Sequence, residues 1–232
     1  MELLWEGLWE ALRLLARGDR EVVAIAWLSL QVSGAATFLS LLAGVPLGAF
    51  LALRSFPGRG FVVTLVNTGM GLPPVVVGLF VSIFLWRSGP LGVFQLLYTP
   101  SALVIAQFII AFPIVAGLTL VSLQQLDPKL RVQFLALGAS RMQLVWLLLR
   151  EARIPLLAAV MAGFGAVISE IGASLMVGGN IKGYTRVLTT ATALETGKGN
   201  FEIAIALGII LLLITFVVNW ALTRIQQRAR PQ

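Results

Sequence analysis

Apolar residues run along this chain in long blocks separated by short polar interruptions, and the block lengths predict its elements. No charged residue occurs between Glu21 and Arg54, between Arg59 and Arg87, or between Arg87 and Asp127. A helix needs about 20 apolar residues to cross a bilayer, so each run holds a span. Turn-like SGPLG and TPS in the third run confine its helix to residues 102–124. Two further blocks complete five predicted spans, at 22–53, 60–86, 102–124, 154–176 and 203–222, interrupted by one charge, Glu170.

Ahead of the spans, Trp5, Leu8, Trp9 and Leu12 follow i, i+3, i+4, i+7 spacing, while Glu2, Glu6, Glu10, Arg13 and Arg17 carry the charge. Residues 1–20 are expected to form an amphipathic helix in the membrane interface; a helix packed on another protein surface is the alternative. The acidic residues and broken apolar pattern do not fit a signal peptide.

Residues 127–152 form a long charged insert between the third and fourth spans. Asp127 and Pro128 are a natural helix start. Leu130, Phe134 and Leu137 then make an apolar stripe, Gly138 breaks it, and Ser140 can cap a second helix. The pattern predicts a helix, a glycine elbow and a helix outside the bilayer. Physics alone leaves two readings open, a solvated loop tidied by short helices or a knob that another protein grips.

Composition agrees with the spans: 58% of residues are hydrophobic, 12% charged, and the mean hydropathy is +0.94. Cysteine and histidine are both absent, which removes thiol nucleophiles, imidazole bases and the usual zinc sites. A net charge of +7 would suggest nucleic acid for a soluble protein; here it fits basic loops facing anionic lipid and the cytosol, and no nucleic acid is expected. With the amino terminus outside, ten Lys and Arg residues fall in cytosolic segments, Arg230 among them, against seven outside. That bias predicts a cytosolic carboxyl terminus.

Within the second span, Gly69, Gly71, Pro73 and Pro74 remove packing bulk and backbone donors, a break that a membrane tolerates only where protein or a water-filled cavity shields it. It is either a packed kink or the wall of a pathway. Glu170 is the only charge inside a predicted span and thereby a functional candidate. The small residues Ala158, Ala159, Ala162, Gly163, Gly165, Ala166, Ser169, Gly172 and Ala173 suit a helix–helix interface or a pore lining. TGKGN lacks the spacing and the hydroxyl of a phosphate-binding G-x-x-x-x-G-K-[S/T] loop, so nucleotide handling is expected on a separate chain.

Leu137-Gly138-Ala139-Ser140-Arg141, with Pro155 seventeen residues past the glycine, resembles the cytoplasmic EAA loop of ABC importer permeases. The positions of that family's Glu-Ala-Ala hold Val132, Gln133 and Phe134, and Glu151 replaces the first proline of its Leu-Pro pair. MGLPPVVVGL, residues 70–79, and ISEIGASLMVGGNIKGYTRVLTTATALE, residues 168–195, are similar to tungstate permeases and to molybdate permeases. The resemblance implies an all-α integral membrane fold of the type I importer permease class, with a permease domain over 21–228. It implies a prokaryotic inner-membrane location, a second copy of the chain, two ATP-binding cassette subunits that hold ATP and magnesium, and an external oxyanion-binding protein. No cofactor or metal is implied on this chain. Val132, Gln133, Phe134, Leu137, Gly138, Ala139, Ser140 and Arg141 would form the ATPase-coupling segment; Gly71, Pro73, Pro74, Glu170 and Gly172 would belong to the pathway or gate.

Because tungstate is a dianion, Glu170 is expected to act structurally, by a hydrogen bond or an ion pair with Lys182, Arg186 or Arg87, before a gate role or direct cargo contact. Molybdate or sulfate is the alternative cargo. A secondary transporter is the alternative class, and a membrane enzyme is disfavoured by the missing His and Cys.

Overall fold

The computed structural model describes residues 2–228; Met1 and residues 229–232, Arg230 included, lie outside the described part. In chain order the helices are α1 Glu2–Arg17, α2 Arg20–Leu53, α3 Arg59–Met70, α4 Pro74–Leu85, α5 Pro100–Gln124, α6 Pro128–Ala136, α7 Arg141–Glu151, α8 Arg153–Ile168, α9 Gly172–Gly178, α10 Leu188–Gly197 and α11 Phe201–Arg228. A 3-10 turn, Gly92–Phe94, sits in the loop before α5.

Among the described residues three helices are long and apolar enough to cross a membrane: Arg20–Leu53, Pro100–Gln124 and Phe201–Gln227. Two bent pairs bring the number to five if each is one span, α3 with α4 at 103° and α7 with α8 at 72°. The second predicted span is thus broken where Pro73 and Pro74 stand. The fourth differs from expectation: residues 154–176 do not form one helix, because α8 stops at Ile168 and α9 restarts at Gly172.

Helix α5 is the central strut. Along its length Ala102, Leu103, Ala106, Ala111, Val115 and Ala116 are fully buried, covered by α2, α3, α4, α8 and α9. With no hydrophobic effect to drive helices together in lipid, the packing depends on close approach at small residues. A Cβ on Gly48 of α2 would sit 2.5 Å from the Ala116 carbonyl oxygen, and one on Gly69 of α3 would sit 2.7 Å from the Pro113 ring. Three hydroxyls inside the helices are spent locally: Ser29, Thr37 and Ser122 each donate to the carbonyl four residues back, at 2.8, 2.7 and 2.6 Å.

Helix α1 lies on α11 through its small face. Ala11 is buried there, and Gly7 comes so close to Ile205 that an added Cβ would lie 2.6 Å from the isoleucine Cβ. Trp5, Leu8, Trp9 and Leu12, the stripe seen in the sequence, remain exposed, and so does Leu15. On α2 the carboxylate of Asp19 caps the first turn, accepting from the amides of Glu21 and Val22, both at 3.0 Å.

Candidate functional site

Two features stand out, at different heights along α5. The first is the α6–α7 knob at the carboxyl end of α5. Asp127 starts α6 by accepting from the Lys129 amide at 2.8 Å, with Pro128 in the first turn. Gly138 ends it at φ +81°, and the amides of Gly138 and Ala139 close the turn onto the carbonyls of Leu135 and Phe134, both at 3.0 Å. Nothing lies within 4 Å of a Cβ built at Gly138, so the glycine is required by backbone conformation alone. Ser140 and Gln143 then form a reciprocal capping box that launches α7.

Only one side of the knob is anchored. Leu144 and Leu148 of α7 are buried in a cluster with Ala49 of α2, Leu123 of α5 and Ala152. Phe134 is half-buried against the same cluster, and Ala139 is half-buried too. Gln133, Ser140 and Arg141 are exposed, while Val132 and Leu137 are 67% and 83% exposed. Met142 at 79% and Trp146 at 58% extend this apolar surface. Sequence reasoning missed these two; the signal was their i, i+4 spacing on the side of α7 away from Leu144 and Leu148. Phe134, Leu137, Gly138, Ala139, Gln143, Trp146 and Leu147 line a hollow of about 510 Å³ beside the elbow.

The second feature is a pair of helix breaks that face each other. In one, Pro73 and Pro74 supply no donor, and α4 begins when the Val76 and Val77 amides bond the Pro73 carbonyl at 2.9 and 3.2 Å. In the other, the Glu170 carboxylate accepts from the Ala173 amide at 2.6 Å, the Ser174 amide at 2.9 Å and the Ser174 hydroxyl at 2.8 Å. Those two amides would bond the carbonyls of residues 169 and 170 in a continuous helix. The carboxylate takes them instead, which is why the predicted fourth span breaks. The Glu170 carbonyl so released accepts from the Thr189 hydroxyl at 2.9 Å. Glu170 is 5% exposed, with neutral donors around it.

The expected ion pair of Glu170 with Lys182, Arg186 or Arg87 is not formed. Lys182 and Arg186 pair instead with Glu21 at the start of α2, at 2.7 and 3.7 Å, and Arg186 also donates to Asn180. Arg87 lies in the loop after α4, lining a hollow with Trp86, Gln95 and Tyr98. A satisfied carboxylate had no need of a distant cation.

The breaks meet at Val75 and Gly172. A Cβ on Gly172 would stand 2.6 Å from the Val75 Cγ2, and one on Gly78 would stand 2.6 Å from the Ala173 Cα. Gly71, Pro73, Pro74, Glu170 and Gly172, far apart in sequence, therefore belong to one junction. It sits near mid-length of α5, since Gly69 abuts Pro113 and Gly163 abuts Val115. The small-residue surface of α8 divides: Ala159 and Gly163 pack inward, while Ala158, Ala162 and Ser169 are exposed. Among the described residues no group of His, Cys, Asp and Glu could hold a metal ion.

Comparison with known proteins fits this architecture. The profile of the family described as "Binding-protein-dependent transport system inner membrane component" matches residues 44–231. The tungstate uptake system permease protein of Peptoclostridium acidaminophilum is 40% identical, over 98% of this chain and 100% of that protein. A probable anion ABC transporter permease protein of Haloferax volcanii is 42% identical, over 93% and 96%. In fold, a chain of the MetNI methionine ABC transporter, in an inward-facing conformation, superposes with a TM-score of 0.75 at 20% identity, over 91% of this chain and 97% of that one. With a profile match over most of its length and full-length relatives of this similarity, the chain belongs to the family of binding-protein-dependent transport system inner membrane components, the permease subunits of ABC importers.

Proposed function

We propose that this chain carries an oxyanion, tungstate, into the cytoplasm as the permease subunit of an ATP-driven importer. The end-to-end similarity to a tungstate uptake permease, spanning both the knob and the facing breaks, carries this reading. Two copies of the chain work with two ATP-binding cassette subunits and an external oxyanion-binding protein. The amino terminus is outside and the carboxyl terminus cytosolic, the orientation favoured by the Lys and Arg distribution. It puts the knob beside the ATPases and the Glu21–Lys182 end outside. Helix α1 rests in the outer interface, its Trp5 and Trp9 stripe in the headgroup layer.

Val132, Leu137, Met142 and Trp146 give the ATPase cleft an apolar grip, in place of the Glu-Ala-Ala that Val132, Gln133 and Phe134 replace. Leu144 and Leu148 tie the knob to the inner ends of α2 and α5, so a push on α6–α7 moves a packed body. Through Pro113 against Gly69 and Val115 against Gly163 that motion reaches both breaks. ATP closure thereby turns the cavity outward, and hydrolysis returns it inward. The external protein supplies most of the affinity, and the cavity holds the anion weakly.

The test is ATP-dependent uptake of labelled tungstate by the whole transporter in vesicles, with molybdate and sulfate as competitors. Uptake that unlabelled tungstate does not compete away would overturn the cargo assignment. Uptake that persists without the ATPase subunits would overturn the coupling.

A further inference from the structure

Away from the ends of the spans, few polar side chains of the described membrane helices are exposed. On α3 they are Thr64, Asn67 and Thr68, and at the end of α8 the residue is Ser169. Elsewhere α2 exposes Gln31, which opens onto the hollow holding Glu21 and Lys182 at its outer end. The free faces of α2 and α11 farther in carry Phe38, Leu39, Leu42, Leu212, Leu213, Phe216 and Val217. Lipid suits those faces. A primary amide and hydroxyls at mid-membrane are costly against lipid and belong beside water or another polar group.

Thr64 and Ser169 donate to the carbonyls of Gly60 and Gly165, at 2.9 and 2.8 Å. Asn67 and Thr68 have no side-chain hydrogen bond to any described residue. They occupy the last turn of α3 before the Gly71–Pro73 break, level with the middle of α5, and Ser169 borders the break that faces it. An anion crossing here meets no Lys or Arg: none occurs in residues 60–86, 100–124, 154–178 or 203–222. The one carboxylate in reach, Glu170, is spent on α9 by three donors. What remains to hold an oxyanion is a set of neutral donors.

We propose that the Asn67 amide and the Thr68 hydroxyl, with Ser169 at the rim, form the intramembrane contact site for the transported oxyanion. This rests on the importer reading above. Neutral donors give the anion partners without the deep well that a buried cation would create, so it can leave on the cytosolic side.

The chain contains no cysteine, so single substitutions Asn67→Cys, Thr68→Cys and Ser169→Cys can be read without background on this subunit. Leu213→Cys on the apolar face of α11 is the control. In the whole transporter, labelling by a charged, membrane-impermeant thiol reagent should be faster at 67, 68 and 169 than at 213, and tungstate delivered by the loaded binding protein should slow it. Thr68→Val should lower tungstate uptake about ten- to hundredfold, as expected for one lost hydrogen bond to a charged group, and Thr68→Ser should retain it. Labelling no faster than at 213 means the face is closed by lipid or by a second copy, and overturns the proposal. Labelling that tungstate leaves unchanged means a wet face without cargo contact, and overturns it too. So does full uptake by Thr68→Val. Wild-type uptake in the same vesicles separates the two readings: no oxyanion uptake there sinks the importer reading, whereas uptake without protection sinks only the contact site.

Discussion

Glu170→Gln separates a carboxylate that builds the fold from one that handles cargo. In the structure one carboxylate oxygen accepts from the Ala173 amide and the other from the amide and hydroxyl of Ser174. A glutamine has the same shape but only one acceptor oxygen, and its NH₂ group must face a donor. Keeping both Ser174 bonds leaves the Ala173 amide buried against another N–H. A lost charge-assisted bond costs roughly 1.5–3 kcal/mol, and relief from burying an anion offsets part of it. The net expected loss is about 2 kcal/mol, which for a chain of this length lowers Tm by roughly 4–8 °C. Glu170→Ala frees all three donors and should cost more. The assay is thermal unfolding of the purified, assembled transporter alongside tungstate uptake. If Glu170→Gln melts with the wild type while uptake collapses, the carboxylate acts on the cargo or the gate, and the structural role is refuted.

Gly138→Val puts a β-branched side chain at φ +81°, costing about 1–2 kcal/mol at the elbow; the spans should still insert, ATP should be hydrolysed with little uptake, and Gly138→Asn should be milder. Normal uptake per ATP in the valine variant would count against the elbow as a coupling element. The double variant Trp5→Ala/Trp9→Ala should lose the tryptophan fluorescence component quenched by shallowly brominated lipids, and an unchanged quenching profile would lift α1 off the membrane. Asn200 first and Lys198 second hold the Glu195 carboxyl below the usual carboxylate range. Its folded pKa lies below the unfolded one, so the stabilisation is present above the unfolded value and is lost as pH falls through the folded one. After correction for intrinsic rates, amide exchange at the end of α10 should therefore quicken below about pH 4 in the wild type, and not in Glu195→Gln; equal profiles would dismiss the pairing.

Much of this architecture is local and therefore readable along the chain. The charge-free runs set the spans, because transfer of each residue into lipid depends on that residue. Asp127-Pro128, Gly138 and the Ser140–Gln143 pair set the knob, because caps and left-handed turns involve neighbours within five positions. Pro73 and Pro74 set the first break for the same reason. The second break was hidden, since Glu170 has a helix-compatible side chain, and a carboxylate displaces backbone carbonyls only where burial removes competing water. The acid at 170 with serine four residues on was a faint local signal of that cap.

Other relations belong to the assembled chain alone. That Lys182 and Arg186 bond Glu21 and leave Glu170 to neutral donors depends on which helix ends meet. Thr189 finds the Glu170 carbonyl, and Val75 finds the space left by Gly172, only once α4, α9 and α10 have closed on α5. Hydropathy and turn chemistry act over a few residues and so were written in the sequence. The meeting of two breaks near mid-length of α5, with Asn67 and Thr68 left unsatisfied beside the first, is a matter of packing between distant helices, which only the tertiary structure decides.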